Sequence, residues 1–280
     1  MISTEIAEEL LGREPRQIRQ EIDRSLQPRT RLLAGMSAAL KAELSRHETQ
    51  SANVLARLPG SDPELAHEEV LISAHLDHVG ERNDRIFNGA DDDASGSAGV
   101  LEIAEAFIQS PLKPRRSVVF ALWNAEEQGL LGSRYYALRP PVQLENVRAL
   151  FQMDMIGRSQ EVTDSADPRF GGLSEQTAEA NRDSVHLVGY SRSRSLTELV
   201  ETANSSVSLR LLKQFDHHEL NIIRRSDSWP FLSRGVPSMF FTTGLHPDYH
   251  TPEDLPEKIE YDKLERVVRL VFLSAWNAAN

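Results

Sequence analysis

Ser117-Val118-Val119-Phe120-Ala121-Leu122-Trp123 runs directly into Asn124-Ala125-Glu126-Glu127-Gln128-Gly129. Residues 117–123 carry no charge and no turn former, and they are rich in β-branched and aromatic side chains, which spells a strand. The apolar run is nearly continuous rather than alternating. Such a strand is covered on both faces, as in a parallel sheet between layers of helices. An acidic pair follows where the strand ends. In open α/β sheets, ligands bind beyond the carboxyl ends of the strands.

Working outward, further β-rich runs occupy Val54–Leu58, Val70–His75, Ala149–Met153, Val185–Val188 and Pro237–Thr242. Between them the pattern predicts helices at 95–109, 127–138, 195–205 and 227–234. The chain closes on an amphipathic helix in which Leu264, Val267, Val268, Val271, Phe272 and Ala275 follow the i, i+3, i+4 spacing. Strands alternating with helices predict an α/β domain with a mixed, largely parallel central sheet flanked by helices. Residues 158–184 are polar and Gly/Ser-rich and read as a long loop near the functional end. Ahead of this domain, residues 3–25 and roughly 36–46 look helical, interrupted at Pro15. Residues 1–46 are expected to form an N-terminal helical segment packing on a domain of residues 47–280. No internal repeat is visible.

Composition narrows the function. The chain has 280 residues and no cysteine, which removes disulfides, thiolate zinc sites, iron–sulfur clusters and cysteine nucleophiles. Acidic residues number 42 against 31 basic ones, a net charge of −11 that argues against a general nucleic-acid binder. Residues 46–100 alone carry eleven acidic and four basic side chains, including the run Asp91-Asp92-Asp93. Such a cluster repels itself unless a cation is bound or it faces water. No apolar run approaches the roughly 20 residues of a spanning helix. Residues 1–25 lack the apolar core of a signal peptide, so the chain as given is expected to stay where it is made.

Five strand ends deliver His or carboxylate groups to one edge of the sheet. They are His75-Leu76-Asp77-His78, the turn Asn88-Gly89-Ala90-Asp91-Asp92-Asp93-Ala94-Ser95-Gly96, Glu126-Glu127, Asp154, and Gly244-Leu245-His246-Pro247-Asp248-Tyr249-His250-Thr251. One such residue is usually a cap; five together are hard to explain that way. His and carboxylate ligands without Cys suit zinc, manganese or cobalt in a hydrolytic site. Two such ions can share a carboxylate and a water. Asp77, two residues from His75, is placed equally for orienting a metal-bound imidazole or for capping a turn. Glu126 and Glu127 can divide metal binding and proton handling between them, or both can complement a helix dipole.

These motifs together resemble the co-catalytic dizinc aminopeptidase family, the group that includes glutamate carboxypeptidase II and the transferrin-receptor ectodomain. The matching stretches are His75-Leu76-Asp77, Gly89–Gly96, Asn124–Gly129, Met153-Asp154-Met155-Ile156-Gly157 and Tyr249-His250-Thr251-Pro252, in the family's order. The resemblance covers about residue 50 to the C-terminus and implies a zinc-exopeptidase, phosphorylase/hydrolase-like fold. It implies two zinc ions: His75 and Asp154 on one, Glu127 and His250 on the other, Asp92 bridging both, with Asp91 and Asp93 pointing elsewhere. By the same resemblance Asp77 orients His75, Glu126 is the general base acting on a metal-bridging water, and Tyr249 steadies the tetrahedral oxyanion. The implied partner is a peptide with a free N-terminus, with no nucleic acid and no membrane involved. A carboxypeptidase, a glutaminyl cyclase and a non-catalytic receptor-like domain are the alternatives on this fold.

There are departures from the family pattern. Larger members carry a protease-associated domain, absent from this chain, and Ile2–Leu11 looks like the segment that follows it. A catalytic fragment or a natural short form is therefore expected. Relatives are often secreted or periplasmic, which leaves the compartment open. Many relatives have Ser-Asp-His where this chain has Ser226-Asp227-Ser228, and Asp227 is expected to be a helix N-cap. His67-Glu68 and His218-Glu219 begin like the zincin motif but lack its second His, and no G-x-S-x-G elbow occurs. His217 and His218 are expected at the surface or core edge. Asn204-Ser205-Ser206 is a glycosylation sequon, meaningful only in a secretory cell.

Overall fold

In the computed structural model, which describes residues 3–35, 37, 39, 41–45 and 48–280, the chain divides into two compact units, Met1–Thr49 and Gln50–Asn280. In the first, α1 (Thr4–Leu11) is capped by Ser3, whose Oγ accepts the Ile6 N–H, and ends on Gly12 in the left-handed region. Helix α2 (Pro15–Ser25) begins at Pro15, which suits a first helical position because its missing N–H has no partner there in any case. The helix expected over 36–46 is not formed at the described residues 37, 39 and 41–45; residues 36, 38, 40 and 46 lie outside them. That stretch has good helix formers, but a helix of about ten residues is marginal without a packing partner. Leu44, at a described position, is 96% exposed and packs on no such partner.

The second unit holds strands β1 (Val54–Leu58), β2 (Glu69–His75), β3 (Gly80–Arg82), β4 (Arg85–Phe87), β5 (Ser117–Trp123), β6 (Val147–Met153), β7 (Ser184–Val188), β8 (Arg210–Leu212) and β9 (Ser238–Thr242). Its helices are α3 (Gly96–Gln109), α4 (Leu131–Leu138), α5 (Arg194–Asn204), α6 (Trp229–Leu232) and α7 (Tyr261–Ala279). Seven strands form one sheet in the order β1-β5-β2-β6-β9-β7-β8. Strands β5, β2, β6 and β9 are mutually parallel, while β1 and β7 pair antiparallel with their neighbours β5 and β9. The fold is therefore the mixed, largely parallel α/β sheet that the sequence predicts.

Strand β5 shows why. Side chains alternate across a strand, so Val118, Phe120 and Leu122 face one layer and Val119, Ala121 and Trp123 the other. The first set joins Val100, Ile103 and Phe107 of α3, Leu196 and Val200 of α5, and Val267, Leu270 and Val271 of α7. The second packs with Tyr136 of α4 and Phe231 of α6. Both faces are dry, and a continuous apolar run is the only pattern that serves both.

Three short strands, β3, β4 and β8, carry no sequence pattern that announces them. The β3–β4 ribbon turns through Asn83-Asp84, both with positive φ, a pairing that Asn and Asp tolerate and that marks a two-residue hairpin. Its strands are three residues long and charged, as is the start of β8, so hydrophobic periodicity had nothing to detect. Helix α4 starts at Leu131 rather than at 127, and α6 spans only four residues. Among the described residues no helix is long and apolar enough to cross a membrane.

Candidate metal centre

Because β2, β5, β6 and β9 run parallel, their carboxyl ends open on one edge, and each delivers a functional side chain there. His75 is the last residue of β2 and is 1% exposed. Its backbone N–H donates to Asp93 Oδ2 at 2.9 Å. Its ring Nδ1 lies 2.9 Å from the carbonyl oxygen of Asp77. A carbonyl only accepts, so the proton sits on Nδ1 and Nε2 is left as a free donor atom.

Asp77 was expected to orient His75 through its carboxylate. The backbone carbonyl does so instead, and the carboxylate stands 3.9 Å from the ring. The two carboxylate oxygens accept the N–H groups of Glu126 (2.9 Å) and Glu127 (3.2 Å). The acidic pair is thus not in a helical first turn. It sits on a loop before α4 that Asp77 holds, which removes the helix-dipole explanation. Ala125, just before the pair, has φ +57°; Met155, just after Asp154, has +56°; His250 itself has +55°. Non-glycine residues avoid this region at a cost of order 1 kcal/mol or more, and three of them cluster at the ends of three chain segments that meet here.

Asp92 lies at the centre. Its Oδ1 is 3.1 Å from His75 Nε2, and its Oδ2 is 3.1 Å from His250 Nε2. On the first side His75 Nε2 is also 3.7 Å from Asp154 Oδ1. On the second, Glu127 Oε1 is 3.1 Å from His250 Nε2 and 3.0 Å from His78 Nδ1. Bonds of about 2.0–2.2 Å in a tetrahedral site put neighbouring donor atoms about 3.3–3.6 Å apart; the separations here, 3.0 to 3.7 Å, lie on either side of that range, so small shifts would bring the donors onto two coordination polyhedra sharing Asp92. Both ring nitrogens of His78, and Glu127 Oε1, are buried without a hydrogen-bond partner. Buried orphans of this kind need an explanation, and a cation supplies it. The residues present therefore fit a metal pair.

The electrostatics carry the same message. Burial works against charge on His250, yet the Asp92 and Glu127 carboxylates lift its pKa to about 9. Burial raises Asp154, and raises Asp93 strongly. Burial, with Asp154, Asp227 and Asp92 nearby, pushes Glu126 up to about 9 despite the opposing effect of His75. So many buried carboxylates are costly side by side, and positive charge among them relieves the cost.

The remaining carboxylates hold loops. Asp91 Oδ1 accepts the Gly157 N–H at 2.6 Å, and its Oδ2 meets His246 Nε2 at 3.2 Å. Asp93 accepts from the backbone of His75, Gly96 and Met155. Asp254 accepts the N–H groups of Asp91 and Asp92. The side chains of Asp91 and Asp93 thus do turn to the backbone. His78, His246 and Asp254 had no role in the sequence reading, although His78 and His246 lie in strand-end stretches that it singled out. Asp254 belongs to no such motif.

Residues 53–275 match the family model described as Peptidase family M28. The chain belongs to peptidase family M28. Relatives of the M28 chain include "Leupeptin-inactivating enzyme 1" of Streptomyces exfoliatus, 35% identical over 125 residues, 44% of this chain and 26% of that one. "Aminopeptidase YwaD" of Bacillus subtilis is 27% identical over 250 residues, covering 86% of this chain and 47% of that protein. Among solved structures, "Aminopeptidase from Aneurinibacillus sp. strain AM-1" superposes with a TM-score of 0.62 at 27% identity, over 81% of this chain and 48% of that one. The M28 chain spans about half the length of the curated relatives it matches over most of its own length.

Beside the donor groups lies a cleft of about 330 Å³, lined by Glu126, Tyr249, Arg134, Arg224 and Arg225 among others. Tyr249 stacks on His250 with ring centroids 4.0 Å apart, and its hydroxyl accepts from Arg225 Nη2 at 2.9 Å. Burial, reinforced by Asp92, raises its pKa, so it stays a phenol with its proton to give. Asp227 is not a helix cap. Ser228 precedes α6, and Asp227 is fully buried, accepting from Ser133 Oγ of α4. Burial pushes its pKa to about 7. A buried slot between α4 and α6 claimed the side chain before the helix end could.

Proposed function

We propose that this M28 chain is a zinc-dependent aminopeptidase holding two zinc ions and releasing N-terminal residues from peptides. The observation that carries the reading is Asp92, whose two oxygens each face a different imidazole at 3.1 Å. His75 and Asp154 would hold one ion, Glu127 and His250 the other, and Asp92 both. Zinc bound there would polarise the substrate carbonyl and acidify a water at neutral pH.

The chain's own groups supply the rest. Glu126 lines the cleft, and Asp77 fixes its backbone. Positive charge near it would bring its raised pKa toward the working range of a proton shuttle, so its carboxylate takes a proton from water and returns it to the leaving amine. Tyr249, whose oxygen already accepts from Arg225, is free to donate its own O–H to the developing oxyanion. The named activities of YwaD and the Aneurinibacillus enzyme support the reaction class.

A second reading, release of C-terminal residues, is favoured by one observation. Arg134, Arg224 and Arg225 line the cleft, and a substrate carboxylate would be welcome beside three such cations. The test is a product assay on the purified chain with unblocked peptides, N-acetylated peptides and N-terminal glutaminyl peptides, with and without chelator. Chelator-sensitive release of N-terminal residues from unblocked peptides alone is expected. Cleavage of acetylated peptides at the C-terminus, or pyroglutamate formation, would replace the proposal.

A further inference from the structure

We infer that His78 is a metal ligand, closing a four-donor cage with Asp92, Glu127 and His250, while the His75–Asp92–Asp154 side keeps an open position. The inference rests on the metal reading above and asks more of it: the two ions are unequal.

Four groups, His78, Asp92, Glu127 and His250, each offer one ligand atom within 4.8 Å of all the others. His78 Nδ1 lies 3.0 Å from Glu127 Oε1 and 3.7 Å from Asp92 Oδ2. The His78 and His250 rings meet edge to face with centroids 5.6 Å apart, as two imidazoles converging on one point would. His78 Nδ1 meets Glu127 Oε1 without hydrogen-bond alignment, Nε2 makes no hydrogen bond at all, and the side chain is 9% exposed. An imidazole buried with neither nitrogen in an aligned hydrogen bond is costly unless something else engages it.

The backbone is shaped to receive this ring. Gly89 has φ +62°, and a Cβ there would stand 2.5 Å from His78 Cγ and 2.4 Å from the Asp92 carbonyl oxygen. Any side chain at 89 would push the ring off its position.

The opposite side differs. Its nearest candidate for a fourth protein donor is Asp93, but both Asp93 oxygens are occupied by backbone N–H groups of His75, Gly96 and Met155. Three donors remain there: His75 Nε2, Asp92 Oδ1 and Asp154 Oδ1. Zinc sites filled by four protein donors are structural in character, and those with three keep a position for water or substrate. The exchangeable position therefore belongs to the His75–Asp154 side, and the His78–His250 side supplies a fixed charge.

The test is stepwise titration of the metal-stripped full chain with Zn2+ against a chromophoric chelator, repeated with Co2+ to read coordination from its visible absorption. Asp154→Ala and Glu127→Ala assign the two binding steps. The expected result is two steps of unequal affinity, the tighter one lost in Glu127→Ala. Loss of a hydrogen-bonding partner outside the ligand shell costs about 10–100-fold in affinity. His78→Ala is therefore expected to weaken the Glu127-dependent step by more than about 100-fold and to change its Co2+ spectrum. The Asp154-dependent step, persisting in the same variant, certifies that the protein is folded. His78→Asn, which can offer an N–H to Glu127 but is a poor zinc ligand, is expected to behave like His78→Ala. Two intact steps in His78→Ala, or full rescue by His78→Asn, would overturn the ligand role and leave the metal pair standing. A wild-type chain that takes up no Zn2+ would overturn the metal pair itself and this inference with it.

Discussion

The Asp77 carboxylate accepts the backbone N–H of Glu126 at 2.9 Å and that of Glu127 at 3.2 Å. One side chain from the end of β2 thereby sets the loop after β5, so the proposed proton shuttle and a proposed metal ligand share one support. Its own carbonyl orients His75. Asp77→Ala removes two charge-assisted bonds. It is expected to lower kcat/KM by about 10–100-fold, with weakened metal binding. Asp77→Asn, with one acceptor oxygen instead of two, should recover part of that loss. Steady-state kinetics together with metal analysis checks both; an unchanged rate in Asp77→Ala would remove the residue from the supporting structure.

Glu126 lines the cleft but makes none of the short contacts that tie Glu127 to the imidazoles. Glu126→Gln should keep both ions and a near-normal KM while kcat falls by about 100- to 10,000-fold. Turnover within a fewfold of wild type would sink the shuttle role.

Asp92 and Asp93 are buried and Asp154 half-buried; Asp93 and Asp154 each offer an oxygen within 4.8 Å of the other, as do Asp92 and Glu127, and the charges of Asp154 and Asp92 bear on Glu126. Removing bound cations leaves that charge uncompensated. Chelation is expected to lower the melting temperature, and free zinc at about 1,000 times its Kd to restore about 4 kcal/mol. A calorimetric scan that is blind to chelator would contradict the metal centre.

Away from the site, Lys263 of α7 is buried, and its Nζ donates to Ser159 Oγ and to the Asn181 carbonyl, each at 2.9 Å. Burial lowers its pKa to about 8 from the ordinary lysine value of 10.5. Between those values the unfolded chain binds more protons than the folded one, so this residue makes stability rise with pH across the window. The gain is up to about 3 kcal/mol by pH 10.5, and below pH 8 the penalty is constant. In Lys263→Met that contribution to the slope should vanish. Ser159 and Asn181 keep other partners, Glu260 and Ser184, so the variant should fold. Melting curves from pH 7 to 10.5 for both proteins decide it; parallel curves would refute it.

Much of this was legible in the chain. Near-continuous apolar strands at 117–123 and 149–153 can only serve a sheet covered on both faces, the sequence pattern located α3 and α5 to within a residue or so, and the apolar spacing from Leu264 to Ala275 falls inside α7. Strand-end chemistry singled out the stretches that hold His75, Asp92, Glu126, Glu127, Asp154 and His250, because a parallel sheet must bring those ends together; the family resemblance picked Asp92 and His250 from among their acidic and His neighbours. The three-residue strands β3, β4 and β8 are too short to carry a period. The 36–46 stretch shows the converse: strong local propensity makes no helix at its described residues, where Leu44 stands exposed.

Sequence by itself determined which residue types reach the sheet edge and in what order, since alternation and spacing are properties of a linear chain. Only the tertiary structure decided how they divide the work. It turned the Asp77 carboxylate to the backbone of Glu126 and Glu127 rather than to His75, sank Asp227 between α4 and α6, and left both nitrogens of His78 without an aligned hydrogen bond beside Glu127. The physical reason is that a buried polar atom goes to the partner within reach, and reach is set by segments far apart in the chain.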